Sequence, residues 1–295
     1  MTGLTEEADV GAPDRGTFDA GPSGRRGTRN RPLWPLAPFA AVGVALLGLP
    51  IVGLVGAAPW RRMPELLSSE GAVEALRLSL VCSVSATVAS VVLGVPLAWV
   101  LAHGRGSLVA LLRGVVTLPL VLPPVVGGIA LLLTFGRNGL VGRWLYEATG
   151  FALPFTTAGV VVAETFVAMP FLVVTVESAF RSTDSRLEEA AATLGASRLT
   201  VLRTVTVPLL LPSLGAGVVL TWARALGEFG ATITFAGNLS GTTQTLPLYV
   251  YGLLESGDVD GAVGMSLVLV VVALGVLLLL RDRWLRPGGL GAGLA

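Results

Sequence analysis

The chain has 295 residues, 53% hydrophobic and 13% charged, with a mean hydropathy of +0.78. A soluble domain carries about 25% charged residues, so this composition is that of an all-α integral membrane protein. The net charge of +1 gives no reason to expect a nucleic-acid partner. Cys82 is the one cysteine and His103 the one histidine, which excludes an internal disulfide, a cysteine-cluster metal site and a paired-histidine zinc motif. No cofactor is expected.

Residues 1–31 are polar and rich in Gly, Pro, Asp and Arg, and predict a disordered tail. A transmembrane domain is predicted over 32–287, followed by a short tail at 288–295. Within it, apolar segments near 33–56, 76–102, 113–135, 155–180, 209–237 and 261–281 each reach the roughly 20 residues needed to cross a bilayer. Six spans place both termini on one side. All 20 basic residues are arginine. With the N-terminus inside, the inner segments hold 14 arginines and the outer loops 4, while Arg77 and Arg224 fall within spans. By the positive-inside rule both termini, and the loop 181–208, are predicted to be cytoplasmic, with lipid around the spans.

The third segment contains Pro119, Pro123, Pro124, Gly127 and Gly128. Prolines remove backbone donors and kink helices, and the freed carbonyls must face protein or a wet cavity. Two readings stand: a packing kink, or a bent helix beside a substrate path. Pro170 in the fourth segment admits the same two.

In the loop 181–208, Ser185 followed by Glu188 has capping-box spacing and predicts a helix start. Gly195 interrupts that helix, and Ser197 caps a second one running towards Pro208. The residues alone describe a helical hairpin between spans. Their spacing is Glu189-Ala190-Ala191, then Gly195, Val205, Val207 and Pro208. It resembles the EAA loop of ABC-importer permeases, which has Ile and Leu where this chain has Val205 and Val207. The resemblance implies a short coupling helix that docks in a cleft of a separate ATPase subunit. A Walker A loop requires a lysine and this chain has none, so any ATP hydrolysis is expected in a partner and the chain itself is not expected to be an enzyme.

The fifth segment carries Arg224, Glu228 and Thr232, four apart and so on one helical stripe. Arg224 lies about 18–24 Å from the inner end of its span, and Glu164 about 15 Å from the outer end of the fourth. A lone charge at such depth costs about 2.5–3.5 kcal/mol or more. Arg224 therefore needs a partner: Glu228 one turn along, or Glu164 across helices. Arg224 and Glu228 either fix helix register as a buried ion pair or, with Thr232 and Glu164, line or gate an anion path, for which an arginine is a multidentate donor. Glu177 and Arg181 form a favourable i, i+4 pair.

The run A-R-A-L-G-E-F-G-A-T-I-T-F-A-G-N followed by G-T-T-Q-T-L-P is similar to the molybdate ABC-transporter permease family, as are L-P-L-V-L-P-P-V-V-G and F-G-R-N-G. Sulfate and thiosulfate permeases share the R-x-x-G-E-[FY]-G core and A-G-N. The likeness covers about 70–285. It implies a type I ABC-importer permease fold, two copies of the chain, two cytoplasmic ATP-binding subunits and an extracytoplasmic oxyanion-binding protein. The expected activity is ATP-driven import of molybdate, or tungstate, across the cytoplasmic membrane by alternating access. A sulfate or thiosulfate importer is the alternative. A proton-coupled secondary transporter using Glu164 and Glu228 leaves the loop pattern without a role, and an intramembrane protease using Ser197 and His103 is disfavoured because Ser197 falls in the cytoplasmic loop and His103 at the end of another span.

Overall fold

The computed structural model describes residues 36–183 and 185–284, so the predicted tails at 1–31 and 288–295 lie outside the described residues. The chain divides into two units, residues 1–50 and 51–295. Helix α1 (Ala37–Gly56) has no charged side chain and no buried residue. Its 20 residues would span about 30 Å.

Beyond it, α2 (Met63–Ser68) leads into α3 (Glu70–His103), a helix of 34 residues. Five described helices are long and apolar enough to cross a membrane: α1, α3, α7 (Thr157–Ser182), the run Arg198–Leu226, and Val259–Leu278 within the last described helix (Val259–Trp284). The segment predicted at 113–135 is instead two shorter apolar helices, α4 (Ser107–Val121) and α5 (Pro124–Phe135). Leu122 between them is extended, with φ −67° and ψ 133°. The residue before a proline is disfavoured in the helical region, and the adjacent Pro123 and Pro124 both lack a donor N–H. The prolines therefore break this segment rather than bend it. Pro170, by contrast, is accommodated within an unbroken α7.

A second difference lies around Pro208. The sequence predicts the loop and the fifth segment as separate elements. The chain is helical from α9 (Arg198–Val201) through a π segment (Leu202–Thr206) into α10 (Val207–Leu226). In the wide turn the Val207 N–H bonds to Leu202 O, just before the residue that has no donor. At its far end α10 stops at Leu226, well before the predicted end at 237, and a short α11 (Gly230–Phe235) follows.

Helices α3, α7 and α10 pack together as the centre of the larger unit. The buried stripe of α3 is made of small residues: Ala72, Ala75, Ser79, Cys82, Ser83, Ala86, Thr87, Ser90, Gly94 and Ala98. Small side chains let helices approach closely where lipid offers no competing hydrophobic drive. At Gly94 a Cβ would stand 3.2–3.3 Å from Val173, Leu172 and Met169. The Thr87 and Ser90 hydroxyls donate to carbonyls one turn back, at 2.7 Å each, so neither is left unpaired in the interior. Leu101, Leu172, Val173 and Val176 fill one end of this centre, and Leu66, Leu246 and Met265 pack against Ala72 and Ala75 near the start of α3.

Candidate functional site

Two features stand out from this apolar frame. The first is the break between α10 and α11. Gly227 leaves the helix at φ −90°, ψ 9°, and Phe229 at φ −133°, ψ −56°. Arg224 on the last turn of α10 lies with Nη2 2.6 Å from Glu228 Oε2. The other Glu228 oxygen accepts the Ala231 N–H at 2.8 Å, in the first turn of α11. Glu228 thus neutralises a cation near a helix C-terminus and caps the helix that begins after the break. Both placements suit the partial charges of the helix ends. The pair is asymmetric in exposure: the Glu228 side chain is 1% exposed and that of Arg224 26%.

Of the two partners open to Arg224 in the sequence, the structure selects Glu228. The expected single stripe does not survive, because the break removes Thr232 from the helical register of Arg224. Thr232 is fully buried in α11, and its hydroxyl, like that of Thr221 in α10, has no hydrogen-bond partner. Glu164 on α7 is 1% exposed, with Oε2 unpartnered. It lies in the stretch of α7 whose Ala163 and Val167 pack with Ala231 and Phe235 of α11, and whose Val160 packs with Cys82 of α3.

The glycines of the broken third segment find their use here. At Gly128 of α5 a Cβ would stand 2.7 Å from Thr234 Cβ and 2.8 Å from Ala231 O. At Gly230 of α11 it would meet Pro124 Cβ at 2.8 Å. The α5 backbone therefore rests directly on α11, next to the ion pair.

The second feature is a helical hairpin. Helix α8 (Ser185–Thr193) ends where Gly195 takes φ +86°, and the Ala196 N–H closes the end on Ala191 O at 3.1 Å. Ser197 then accepts the Thr200 N–H at 3.2 Å and caps α9. Glu189 and Ala190 are exposed, and Ala191 is half-buried. Pro208 is exposed at the start of α10. Glu188 Oε1 accepts the Thr206 hydroxyl at 2.6 Å, tying α8 to the π segment. A cleft of about 520 Å³ lies alongside, lined by Trp99, His103, Glu188, Glu189 and Arg198 among others.

Three connections escaped the reading of the sequence. Besides Arg181, Glu177 binds Arg113 of α4, with nitrogens at 2.8 and 3.0 Å, and both arginines also donate to Leu101 O. This clamp joins α3, α4 and α7 where α7 leads into the hairpin. The Glu188–Thr206 tie spans 18 residues and the Arg113–Glu177 pair 64, separations at which no sequence period operates. The capping role of Glu228 had a local signal: a glycine inside a helical run, followed by an acid just ahead of the next turn.

A bundle of apolar helices with a charged break inside it and an exposed helical hairpin is the architecture of a helical membrane protein. The chain belongs to the family of binding-protein-dependent transport system inner membrane components, which matches residues 90–288. It is similar to the "Molybdenum transport system permease protein ModB" of Mycobacterium tuberculosis, 51% identical over 242 residues, covering 82% of this chain and 90% of that one. The protein of the same name from Escherichia coli K12 is 42% identical over 213 residues, covering 72% of this chain and 92% of that one. The "Sulfate transport system permease protein CysT" of Salmonella typhimurium is 34% identical over 232 residues, covering 78% and 83%. Among solved structures, a bacterial ABC transporter involved in the import of alginate matches with a TM-score of 0.68 at 20% identity, over 87% of this chain and 96% of that one. That likeness speaks for the fold alone.

Proposed function

We propose that this chain is the permease subunit of an ATP-driven importer that moves molybdate, and tungstate with it, across the cytoplasmic membrane by alternating access. The observation that carries the substrate is the 42–51% identity to relatives named as molybdenum permeases, over most of their length. Molybdenum(VI) in neutral water is a tetrahedral dianion. The break in the fifth apolar run offers a fitting cation: Arg224 keeps about a quarter of its side chain exposed while its counter-ion Glu228 is sealed. The accessible side of the pair is thus the side an oxyanion would meet. Glu228 beside it keeps that attraction weak enough for release, and Thr232 and Glu164 lie behind as part of the path or its gate.

In this reading Glu189, Ala190, Ala191, Gly195 and Pro208 form the coupling element. The exposed face of α8 docks on a cytoplasmic ATP-binding subunit, which supplies the hydrolysis. The continuous helix from Arg198 to Leu226 then carries the movement of the hairpin to the Arg224–Glu228 break. A second copy of the chain completes the passage, an extracytoplasmic binding protein delivers the anion, and both termini lie in the cytoplasm.

The 34% identity to a sulfate permease supports a second reading, import of sulfate or thiosulfate by the same machinery. Molybdenum uptake in cells lacking this gene, with and without its restoration, separates the two. Rescue that tungstate blocks and excess sulfate leaves intact is the expected result. Rescue abolished by sulfate would move the substrate to the sulfate class, and no rescue with the permease present in the membrane would overturn the proposal.

A further inference from the structure

The segment between α5 and α7 is short, yet it is rigidly built. After Phe135 the chain turns back on the end of α5: the Leu140 N–H bonds to Leu133 O at 3.1 Å and the Val141 N–H to Thr134 O at 2.8 Å. Helix α6 (Gly142–Thr149) starts directly from this turn. Gly142 is buried against the Phe135 and Gly136 carbonyls, which a Cβ at that position would strike. Gly150, at φ +74°, closes the helix. The depth of α6 is therefore set by the end of α5, an apolar helix of the bundle.

The side chains divide by chemistry. Leu140, in the turn before α6, is 79% exposed, and Trp144, in the first turn of α6, is 74% exposed. Leu140 adjoins the end of α5 through the backbone bond above, next to Leu133, which is 70% exposed. The polar groups are held by one another. The Arg137 guanidinium stacks 4.1 Å from the Tyr146 ring centre and donates to its hydroxyl at 2.7 Å, and Arg143 Nε donates to Glu147 at 2.7 Å. An indole on an apolar face, with arginines beside it, is the pattern that settles between acyl chains and headgroups.

We propose that α6 is an interfacial foot that seats in the bilayer, with Leu140 and Trp144 in the upper acyl region and Arg137 and Arg143 at the phosphates. The occupant is lipid, because the exposed leucines at the end of α5 and in the turn before α6 are apolar, and α6 sits at a depth fixed by the end of that apolar helix. The foot holds α5, and through Gly128 the adjoining α11, at a set height. The inference does not depend on which anion is carried.

The test uses the full chain in phosphatidylethanolamine–phosphatidylglycerol vesicles. Cys82 is the one cysteine, so Cys82→Ala provides a background for nitroxide labels at Leu140→Cys, Trp144→Cys and Arg143→Cys. Labels at 140 and 144 are expected to collide severalfold more with oxygen, relative to a water-soluble nickel chelate, than the label at 143. A second measurement needs no label: lipids brominated on the acyl chains should quench a larger share of tryptophan fluorescence in the native chain than in Trp144→Phe. Nickel collisions dominating at 140 and 144 would place the face in water. Poor access of both reagents there would mean that a protein surface covers it. Either result, or equal quenching of the two chains, overturns the proposal.

Discussion

Removing either member of the Arg224–Glu228 pair leaves the other charge behind in a poorly hydrated site, which costs about 3–5 kcal/mol when a pair is buried. The two losses are not equivalent. With Arg224→Ala the stranded carboxylate is 1% exposed, so the cost should lie near the top of that range. With Glu228→Gln the stranded guanidinium is 26% exposed and can draw on water, and the amide oxygen can still accept the Ala231 N–H. Its cost should lie near the bottom. Glu228→Ala also frees that buried N–H and adds about 1–3 kcal/mol. The double variant Arg224→Ala/Glu228→Gln strands no charge, and should cost at least about 2 kcal/mol less than the sum of the two singles, within the range of coupling between residues in contact. Denaturation of the purified protein in a lipid-like detergent, followed by the loss of helical circular dichroism, reads these differences. Membrane abundance and uptake are measured beside it. Additive single effects, with a coupling below about 0.5 kcal/mol, would refute the reasoning, since independent sites add within that margin.

Gly128→Ala should cost about 1–3 kcal/mol by overpacking against Ala231 and Thr234, whereas Gly114→Ala, with open space at its Cβ, should be neutral or slightly stabilising in the same unfolding assay. Glu189→Arg changes an exposed side chain, so stability should stay within about 0.5 kcal/mol while co-purification with the ATP-binding subunit falls; unchanged co-purification would remove Glu189 from the docking face. Gly195→Val forces a side chain into the left-handed region at φ +86° and should destabilise the hairpin by about 1–2 kcal/mol, seen as faster hydrogen exchange over 185–206 and loss of substrate-stimulated hydrolysis. In the clamp, Arg113→Ala and Arg181→Ala should each be mild because the other arginine still holds Glu177. The double variant should lose far more thermal stability than either single, and equal mild effects throughout would deny the clamp a shared role.

Much of the protein is legible in its order of residues. Composition and apolar run length specify a helical membrane protein, since only a helix satisfies its backbone within one segment in lipid. Capping chemistry places the hairpin: Gly195 and Ser197 act through neighbours within five residues, so the local sequence is sufficient. The spacing from Glu189 to Pro208 and the run around Arg224 carry the family. Tertiary structure decided where helices break and which charges meet. The prolines of the third segment announce a disturbance but not its size. A break at Leu122 is tolerated because α5 lies on α11 through Gly128 and Gly230, a contact between residues about a hundred positions apart. Periodicity assumes an unbroken helix, so it joined Thr232 to Arg224 and Glu228. Once Gly227 ended α10, Glu228 could pair backwards and cap forwards, and Thr232 was carried into the interior. Arg113 reached Glu177 only because folding brought α4 and α7 together. Local chemistry sets where a helix can start and stop, and close packing of distant backbone determines which of those stops the folded protein uses.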